Sequence, residues 1–305
     1  MKFDRNPGCE TRLYMLIALL RLLGRIPLKR LHAFGAALGW LVFWLVPAHA
    51  RRLRQNLRSS GVCSSPEKYR SLLQSVIRET GKAGAEVMKI WFGPDEEVER
   101  LVIECRGWDQ VESARSRGRA IIFLTPHLGC FELAALYGAR RFPLTVLYRP
   151  PKYRWLEPLF TAGRARWRLR IAPADLKGVR MLYRALERGE AIGLLPDQAP
   201  TLGRGTWTMF FDRPAYTMTL PSRLQRASGA AVILAFAERL PDGRGYRLLL
   251  ESLGTEDLTE ERLNQAIEAL VRRYPEQYLL WGYNRYKKVS SRRSRGTYIS
   301  RRGRR

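Results

Sequence analysis

The sequence predicts an α/β protein: an α/β/α sandwich with a largely parallel mixed sheet, preceded by an N-terminal hydrophobic membrane-anchoring helix. Short apolar runs alternate with amphipathic segments along most of the chain, which is typical of helices packed on a mostly parallel sheet. Polar side chains follow several of these runs directly, and a long apolar stretch precedes the first of them. Hydrophobic residues make up 46% of the 305 residues, so the chain has material for a sizeable core and is not globally disordered.

The chain is strongly basic, which indicates a polyanionic partner. Lys and Arg number 54 against 28 Asp and Glu, giving a formal net charge of +26. Nucleic acid, an anionic membrane, an acidic protein and a phosphorylated substrate all fit such a charge. The basic tail has few aromatic residues, which disfavours RNA, and we expect no nucleic-acid partner.

The four cysteines predict neither a metal site nor a disulfide framework. Cys9, Cys63, Cys105 and Cys130 are scattered without a CxxC pair, which fits a reducing compartment. We expect no metal and no cofactor. Cys130 lies inside the central motif, where it is either a thiol nucleophile or a small packing residue, and the pattern favours packing.

Residues 1–58 are predicted to form a membrane-anchoring segment. Residues 31–46 (LHAFGAALGWLVFWLV) are apolar but shorter than the about 20 residues of a usual membrane span. Trp40 and Trp44 precede the basic run ARRLRQNLR, an arrangement typical of an aromatic anchor with positive charge on the cytoplasmic side. Spanning the bilayer and lying in one leaflet both remain open, and a buried helix of a soluble protein is the competing interpretation.

Residues 59–286 are predicted to form the catalytic domain, and residues 287–305 a basic, disordered tail. Helices are expected over residues 66–92, 111–117, 131–138, 155–167, 177–188, 220–227 and 259–274. Strands are expected over residues 98–107, 121–124, 144–148, 191–195, 231–237 and 246–250, the last two paired around Pro-Asp-Gly.

Three of the predicted strands deliver a polar residue to the edge where ligands bind in such sheets. The apolar run Ile121–Leu124 is followed by His127, with Glu132 in the first turn of the next helix. Arg149 and Asp197 follow two later strands. A histidine oriented by a carboxylate can act as a general base, although His-x4-Glu alone is a weak pattern. Arg149 could instead be a surface residue, and Asp197 could merely end its strand in a turn.

Several blocks, in order, resemble the lipid A biosynthesis lauroyl/myristoyl acyltransferases of Gram-negative bacteria. They are RRLRQNL, HLGCFE, VLYRP, KGVRMLYRALERGEAIGLLPDQ, WTMFF and PEQYLLWGYNRYK. Cys130 and Phe131 stand where the family usually has Asn and Trp, which indicates a change in packing. The last block has Gly-Tyr-Asn where many relatives show a nearby His, so its role is left open.

The resemblance implies an acyltransferase on the cytoplasmic face of the cell inner membrane. The donor would be acyl-acyl carrier protein, and the acceptor a hydroxyl of a lipid A precursor. His127 would be the general base and Glu132 its orienting carboxylate, with Arg149 and Asp197 binding substrate. No covalent acyl-enzyme is expected, and backbone N–H groups near Gly129 are candidates for stabilising the oxyanion.

Other interpretations remain at this point. The acceptor could be a glycerophospholipid of the lysophosphatidate type, although that superfamily usually carries His-x4-Asp. A basic membrane-associated or nucleic-acid-binding protein without enzymatic activity would need neither His127 nor the polar strand ends. The arginines of residues 164–170 are expected to form a solvated or lipid-facing surface rather than a pocket.

Overall fold

The computed structural model describes residues 7–151, 153–254 and 256–286, with the side chains of residues 7–12 and 154 left aside. The predicted tail, residues 287–305, lies outside the described residues. The helices are α1 (Pro7–Gly24), α2 (Leu28–Leu45), α3 (Pro47–Ser59), α4 (Pro66–Phe92), α5 (Asp95–Arg100), α6 (Trp108–Ser116), α7 (Phe131–Arg141), α8 (Glu157–Arg164), α9 (Leu176–Glu187), α10 (Leu220–Ser228) and α11 (Glu260–Arg273). The strands are β1 (Val102–Arg106), β2 (Ile121–Leu124), β3 (Leu144–Tyr148), β4 (Leu169–Pro173), β5 (Ala191–Leu194), β6 (Gly205–Phe210), β7 (Arg213–Met218), β8 (Ala231–Arg239) and β9 (Tyr246–Ser252).

A seven-stranded sheet with the order β1-β9-β8-β2-β5-β3-β4 forms the centre of the fold. The five strands from β8 to β4 in this order are parallel to one another. β9 runs antiparallel to β8, and β1 pairs with β9 in a parallel arrangement. β6 and β7 form a separate antiparallel hairpin. The predicted mixed, largely parallel sheet is confirmed.

β2 shows why helices cover both faces of this sheet. Its side chains are all buried, and successive side chains of a strand point to opposite faces. Ile122 packs in one apolar cluster with Leu182 of α9 and Ile267 of α11. Phe123 belongs to the other cluster, together with Leu133 of α7. The sheet therefore lies between two helical layers, as the sandwich prediction requires.

Three parts of the fold differ from the sequence-based expectation, one of which is the unpredicted hairpin of β6 and β7. A helix, α5, replaces the start of the strand expected over residues 98–107, because the acidic residues of its first turn stabilise a helix start. The helix expected over residues 155–167 ends at Arg164 and is followed by the unpredicted strand β4. β4 lies at the sheet edge, where an arginine can face solvent, so its sequence lacks the apolar run of the central strands.

The N-terminal helices contact the domain through small residues and leave an apolar face exposed. α2 approaches α4 so closely that a Cβ on Gly81 would lie 1.9 Å from the carbonyl oxygen of Gly35. On the opposite face of α2, Phe34, Trp44 and Leu45 are 60%, 68% and 70% exposed. No single helix in the described part of the chain has the length and hydropathy of a membrane span, although α2 and α3, bent by 101°, pass that test as a pair. The anchoring predicted for residues 1–58 stays a prediction.

Candidate active site

His127 and Asp197 meet because they occupy equivalent positions after two neighbouring parallel strands. In the register of β2 and β5, Leu124 pairs with Leu194. His127 lies three residues beyond the first of these and Asp197 three residues beyond the second. The carboxyl ends of adjacent parallel strands open at the same edge of the sheet, so the two side chains converge there.

The Asp197 carboxylate holds His127 through both the ring and the backbone. His127 Nδ1 lies 2.7 Å from Asp197 Oδ1, and the His127 backbone N–H donates to Asp197 Oδ2 at 2.8 Å. Asp197 is only 1% exposed. A carboxylate only accepts, so Nδ1 carries the proton and Nε2 is left with its lone pair. Gln198 Nε2 lies 3.3 Å from that nitrogen, and the ring of Phe131 is 5.1 Å away, centroid to centroid.

The last block of the family resemblance, whose role was left open, packs directly behind this dyad. Leu279 N–H donates to the His127 carbonyl at 2.9 Å, and Gly129 N–H donates to the Gln277 carbonyl at 3.1 Å. Tyr278 is buried, and that burial together with the negative charge of Asp197 raises the pKa of its phenol well above the ordinary value. The block therefore fixes the loop that carries His127 and keeps a neutral phenol beneath the dyad.

Glu132 does not make the contact with His127 that the sequence predicted. Its carboxylate accepts from Arg164 Nε at 3.0 Å and from Trp91 Nε1 at 3.1 Å, and a second, shorter contact joins Arg164 Nη2 to Oε1. Glu132 lies in the first turn of α7, which turns its side chain towards α4 and α8 rather than back towards the strand end. Among the described residues, the carboxylate bonded to the His127 ring is that of Asp197.

Arg164 was expected to belong to a solvated surface, and that expectation is wrong. Its side chain is 14% exposed, and its guanidinium lies over the rings of Trp91 and Tyr148 at 4.6 and 5.1 Å. Arg164 Nη1 is buried and has no hydrogen-bond partner in the described part of the chain. Arg166 likewise turns inward, donating to the carbonyls of Ile90 and Gly93.

His127 and Glu132 both line a pocket of about 400 Å³ whose walls are mainly apolar. Arg149 and Arg204 lie exposed at its rim, and neither forms an ion pair with any described residue. The apolar wall comes from β3, β4 and β5 and from α7, α8 and α9, and includes Phe131, Ala135, Val146, Leu147, Phe160, Leu169, Val179 and Leu194. The histidine of the dyad therefore lines a mainly apolar cavity that two exposed cations also line.

Two of the backbone donors near Gly129 are already engaged. Gly129 N–H donates to the Gln277 carbonyl, and Cys130 N–H donates to the Ala237 carbonyl at 2.9 Å. Gly129 has a φ of +55°, and a Cβ there would lie 2.1 Å from the Ala237 carbonyl oxygen. One of these bonds joins the loop to the block around Gln277 and the other joins it to β8, so these two N–H groups are not available to an oxyanion.

Sequence reasoning missed four residues of this site: Trp91, Arg164, Gln198 and Arg204. Gln198 directly follows Asp197 in the block LLPDQ and could have been included on that ground. Trp91 and Arg164 reach Glu132 from α4 and α8, 41 and 32 residues away in sequence, and no local pattern signals such a contact. No group of three or more His, Cys, Asp or Glu side chains among the described residues is placed to hold a metal ion.

Comparison with known proteins assigns the chain to a family. The family model of bacterial lipid A biosynthesis acyltransferases matches residues 5–288. The lipid A biosynthesis lauroyltransferase of Escherichia coli K12 is 26% identical over 278 residues, covering 89% of this chain and 90% of that protein. The palmitoleoyltransferase of lipid A biosynthesis from the same strain is 28% identical over 270 residues, covering 86% and 87%. With a family model matched along nearly its whole length and the dyad within the matched region, the chain belongs to the bacterial lipid A biosynthesis acyltransferases.

Proposed function

We propose that this chain transfers a fatty acyl group from acyl-acyl carrier protein to a hydroxyl of a lipid A precursor, with His127 as the general base. The observation that carries the proposal is the His127–Asp197 dyad, whose histidine lines a mainly apolar pocket. The family gives the reaction class, and the names of the two relatives give the acyl-transfer chemistry and the pathway.

The reaction proceeds by direct attack of the acceptor on the donor. The acceptor oxygen bonds to the thioester carbonyl carbon while His127 Nε2 takes the hydroxyl proton. The tetrahedral intermediate collapses, the carbon–sulfur bond breaks, and the imidazolium returns the proton to the departing thiolate. His127, whose tautomer Asp197 fixes, carries the proton in both steps. Because the acceptor hydroxyl attacks the thioester directly, no enzyme nucleophile is required.

Asp197 orients the His127 ring, the role that the sequence suggested for Glu132. Glu132 instead orients the Arg164 guanidinium, which binds the substrate. The buried, unpartnered Nη1 of Arg164 is a donor that a substrate carbonyl or its oxyanion can accept from. Glu132 and the surrounding rings hold that guanidinium in one orientation. This assignment supplies an oxyanion donor in place of the engaged N–H groups at Gly129.

The pocket suits an acyl chain and phosphate-bearing partners. The apolar wall can bury hydrocarbon, which is favourable in proportion to the area removed from water. Arg149 and Arg204 at the rim can pair with phosphates of the acceptor or of the donor's prosthetic group, since guanidinium recognises phosphate through two parallel bonds. The protein's positive charge also favours encounter with an acidic carrier protein.

The proposed location is the inner membrane, with the pocket on the cytoplasmic side. The exposed apolar face of α1 and α2 supports attachment, because Tyr14, Met15, Phe34, Trp44 and Leu45 are each at least 60% exposed. The arginine-rich α3 that follows supports an orientation towards anionic lipid.

Acyl transfer by the detergent-solubilised full chain tests the proposal. Acyl carrier protein loaded with several chain lengths is offered with a lipid A precursor and a lysoglycerophospholipid together. We expect product on the lipid A precursor, and a fall in kcat of roughly 1,000-fold in His127→Ala. His49→Ala, which removes a histidine of α3 outside the pocket, should retain activity. Transfer only to the glycerophospholipid would replace the proposed acceptor, and full activity of His127→Ala would reject the mechanism.

Asp197→Asn tests the dyad itself. An amide cannot hold the Nδ1–H tautomer as a carboxylate does, so kcat should fall by roughly 100- to 1,000-fold with little change in KM. The thermal midpoint and the KM report whether the loop has moved. A kcat near that of the wild type would show that Asp197 only ends its strand in a turn.

A further inference from the structure

A second concave surface, separate from the active-site pocket, lies where α2 bends into α3. This elbow groove has a volume of about 640 Å³ and shares no lining residue with the pocket that holds His127. Its lining includes Trp44, Gln55 and three arginines, Arg51, Arg54 and Arg58, which we call the elbow arginines. The proposed catalytic chemistry uses none of these residues.

The elbow arginines share one face of α3 because of their spacing. Steps of three and four residues return to the same side of a helix, and the buried side of α3 carries Leu53 and Leu57. α3 contains no acidic side chain, and none of the elbow arginines forms an ion pair with a described residue. The groove therefore presents uncompensated positive charge to solvent.

Aromatic rings orient two of these guanidinium groups. The Arg54 guanidinium lies 4.5 Å from the ring centroid of Phe43, and that of Arg58 lies 5.1 Å from the centroid of Tyr69. Stacking restricts the side chain and leaves the edge of the guanidinium free to donate. A guanidinium edge matches two oxygens of a phosphate, which a lysine ammonium cannot do.

The position of the elbow groove indicates which kind of molecule would bring a phosphate to these arginines. Trp44, Leu45 and Val46, at the end of α2, are 68%, 70% and 44% exposed, and the arginine face begins directly after the bend. The two helices meet at 101°, so the apolar surface and the basic surface adjoin at a sharp boundary. Hydrocarbon on one side and phosphate on the other is the order of groups at the surface of a bilayer.

We propose that the elbow groove binds the phosphate of an anionic membrane glycerophospholipid, and thereby sets α3 along the bilayer surface. The proposal rests on the membrane attachment given under the proposed function and names its specific contact. The elbow arginines bind the phosphate diester, Gln55 adds a neutral donor, and Trp44 lies beside the first part of the acyl chain.

Partitioning of the purified full chain onto vesicles tests this site without any substrate present. The vesicles are phosphatidylcholine alone, or phosphatidylcholine mixed with phosphatidylglycerol. In R51Q/R54Q/R58Q, partitioning onto the mixed vesicles should fall roughly 100-fold, since each basic residue near an anionic surface strengthens binding about fivefold. Partitioning onto pure phosphatidylcholine should stay unchanged, because the apolar face remains.

A matched charge control separates a site from general attraction. R117Q/R184Q/R223Q removes three exposed arginines from α9, α10 and the loop after α6, and so loses the same net charge. Its partitioning should change by less than about threefold, since screening limits exposed charges beyond a Debye length. An equal loss in both triple variants would overturn the proposal in favour of diffuse attraction.

Lysine variants separate a phosphate site from a patch of charge. R51K/R54K/R58K keeps the charge but loses the stacked, two-pronged donors, so partitioning onto the mixed vesicles should still fall about tenfold. Wild-type partitioning by this variant would overturn the proposal. So would a raised KM for acyl-acyl carrier protein in R51Q/R54Q/R58Q with unchanged partitioning, which would make the groove a docking surface for the acidic carrier.

The outcomes also separate this inference from the proposed function. A wild-type protein that binds neither kind of vesicle would contradict the proposed membrane attachment. If vesicle binding depends on the elbow arginines but His127→Ala keeps full activity, the lipid site is supported and the proposed mechanism is rejected.

Discussion

Two arginine–glutamate pairs lie near the start of α7, and they differ in what surrounds them. Glu86 pairs with Arg239 inside the protein, where the two residues are 2% and 3% exposed. Glu132 pairs with Arg164 in the wall of the pocket. The two pairs have the same side-chain chemistry. They differ in whether the arginine keeps an N–H donor that a substrate could use.

The inner pair is enclosed by protein groups. Glu86 accepts from Arg239 Nε at 2.8 Å and Nη2 at 2.6 Å, from Tyr246 Oη at 2.7 Å, and faces His32 Nε2 at 3.2 Å. Arg239 also donates to Glu79 at 2.6 Å. This cluster joins α2 and α4 to the end of β8, so it connects the N-terminal helices to the sheet.

The outer pair is enclosed on one side only. Glu132 has Arg164 and Trp91 as donors, but Nη1 of Arg164, a residue that lines the pocket, has no partner among the described residues. A pair whose donors are all hydrogen-bonded within the protein can only stabilise the fold. A pair in the pocket wall with a donor left over can also bind a substrate. We therefore expect the inner pair to govern stability and the outer pair to govern activity.

The largest expected effect belongs to Glu86→Gln. Removing this charge leaves Arg239 buried without its main partner, so the free energy of unfolding should fall by about 3–5 kcal/mol. The control, Glu104→Gln, disrupts the partly exposed contacts to Arg106 and Arg247 and should lower the free energy of unfolding far less, because water and salt screen exposed charges. Denaturant titration measures both. The folded fraction of Glu86→Gln should keep kcat within severalfold, and loss of kcat at unchanged stability would reverse the assignment.

The same pair gives a pH dependence with a defined sign. Burial alone would raise the pKa of Glu86, but the charge and hydrogen bonds of Arg239, with the bond to His32, offset it and hold the pKa well below its usual value. A carboxyl whose pKa is lower in the folded state stabilises the protein above the unfolded pKa and loses that contribution as the pH falls. The stability difference between wild type and Glu86→Gln should therefore be constant near neutral pH and shrink below about 4.5. A difference that changes between pH 6 and 8 would contradict this assignment.

The sequence reveals features that depend on neighbouring residues better than contacts between residues that lie far apart along the chain. β2 and β3 were predicted with the bounds observed, and so was α4, because consecutive buried residues and a Pro start are local signals. The dyad depends on β2 and β5 being neighbours although other strands lie between them in sequence. Strand order follows from packing of the whole sheet, so the sequence named His127 and Asp197 separately and chose Glu132 as the nearer carboxylate.

The hairpin of β6 and β7 and the edge strand β4 were missed for a related reason. β4 has Arg170 exposed at its second position, and β6 has Trp207 and Met209 exposed, so neither shows the buried run or the regular alternation of a core strand. Their pairing depends on neighbours rather than on their own hydrophobicity. Arg164 was assigned to the surface because its sequence neighbours are arginines, whereas its partner Glu132 lies on another helix.

Glu132→Gln should have the second-largest effect, and it should appear in activity. Loss of the carboxylate charge frees the Arg164 guanidinium to rotate, so kcat/KM should fall by roughly 10- to 100-fold while the thermal midpoint changes little. Arg164→Lys keeps a cation but loses the forked contact and the ring stacking, and should show a similar fall. If Glu132→Gln lowers stability as much as Glu86→Gln and leaves kcat/KM unchanged, the contrast between the two pairs is wrong.

Cys130→Ala should have the smallest effect, although Cys130 lies between the two pairs and inside the central motif. The thiol is 3% exposed, and burial, followed by the negative charge of Glu86, raises its pKa well above the ordinary value. A thiol held neutral is a poor nucleophile, so kcat should stay within about twofold, and the free energy of unfolding should fall by about 1 kcal/mol for the lost sulfur. Iodoacetamide should label the half-buried Cys63 of the native protein before Cys130. A stable Cys130→Ala protein without activity, together with an acyl group trapped on the wild-type thiol, would restore a covalent mechanism and place the inner pair in catalysis.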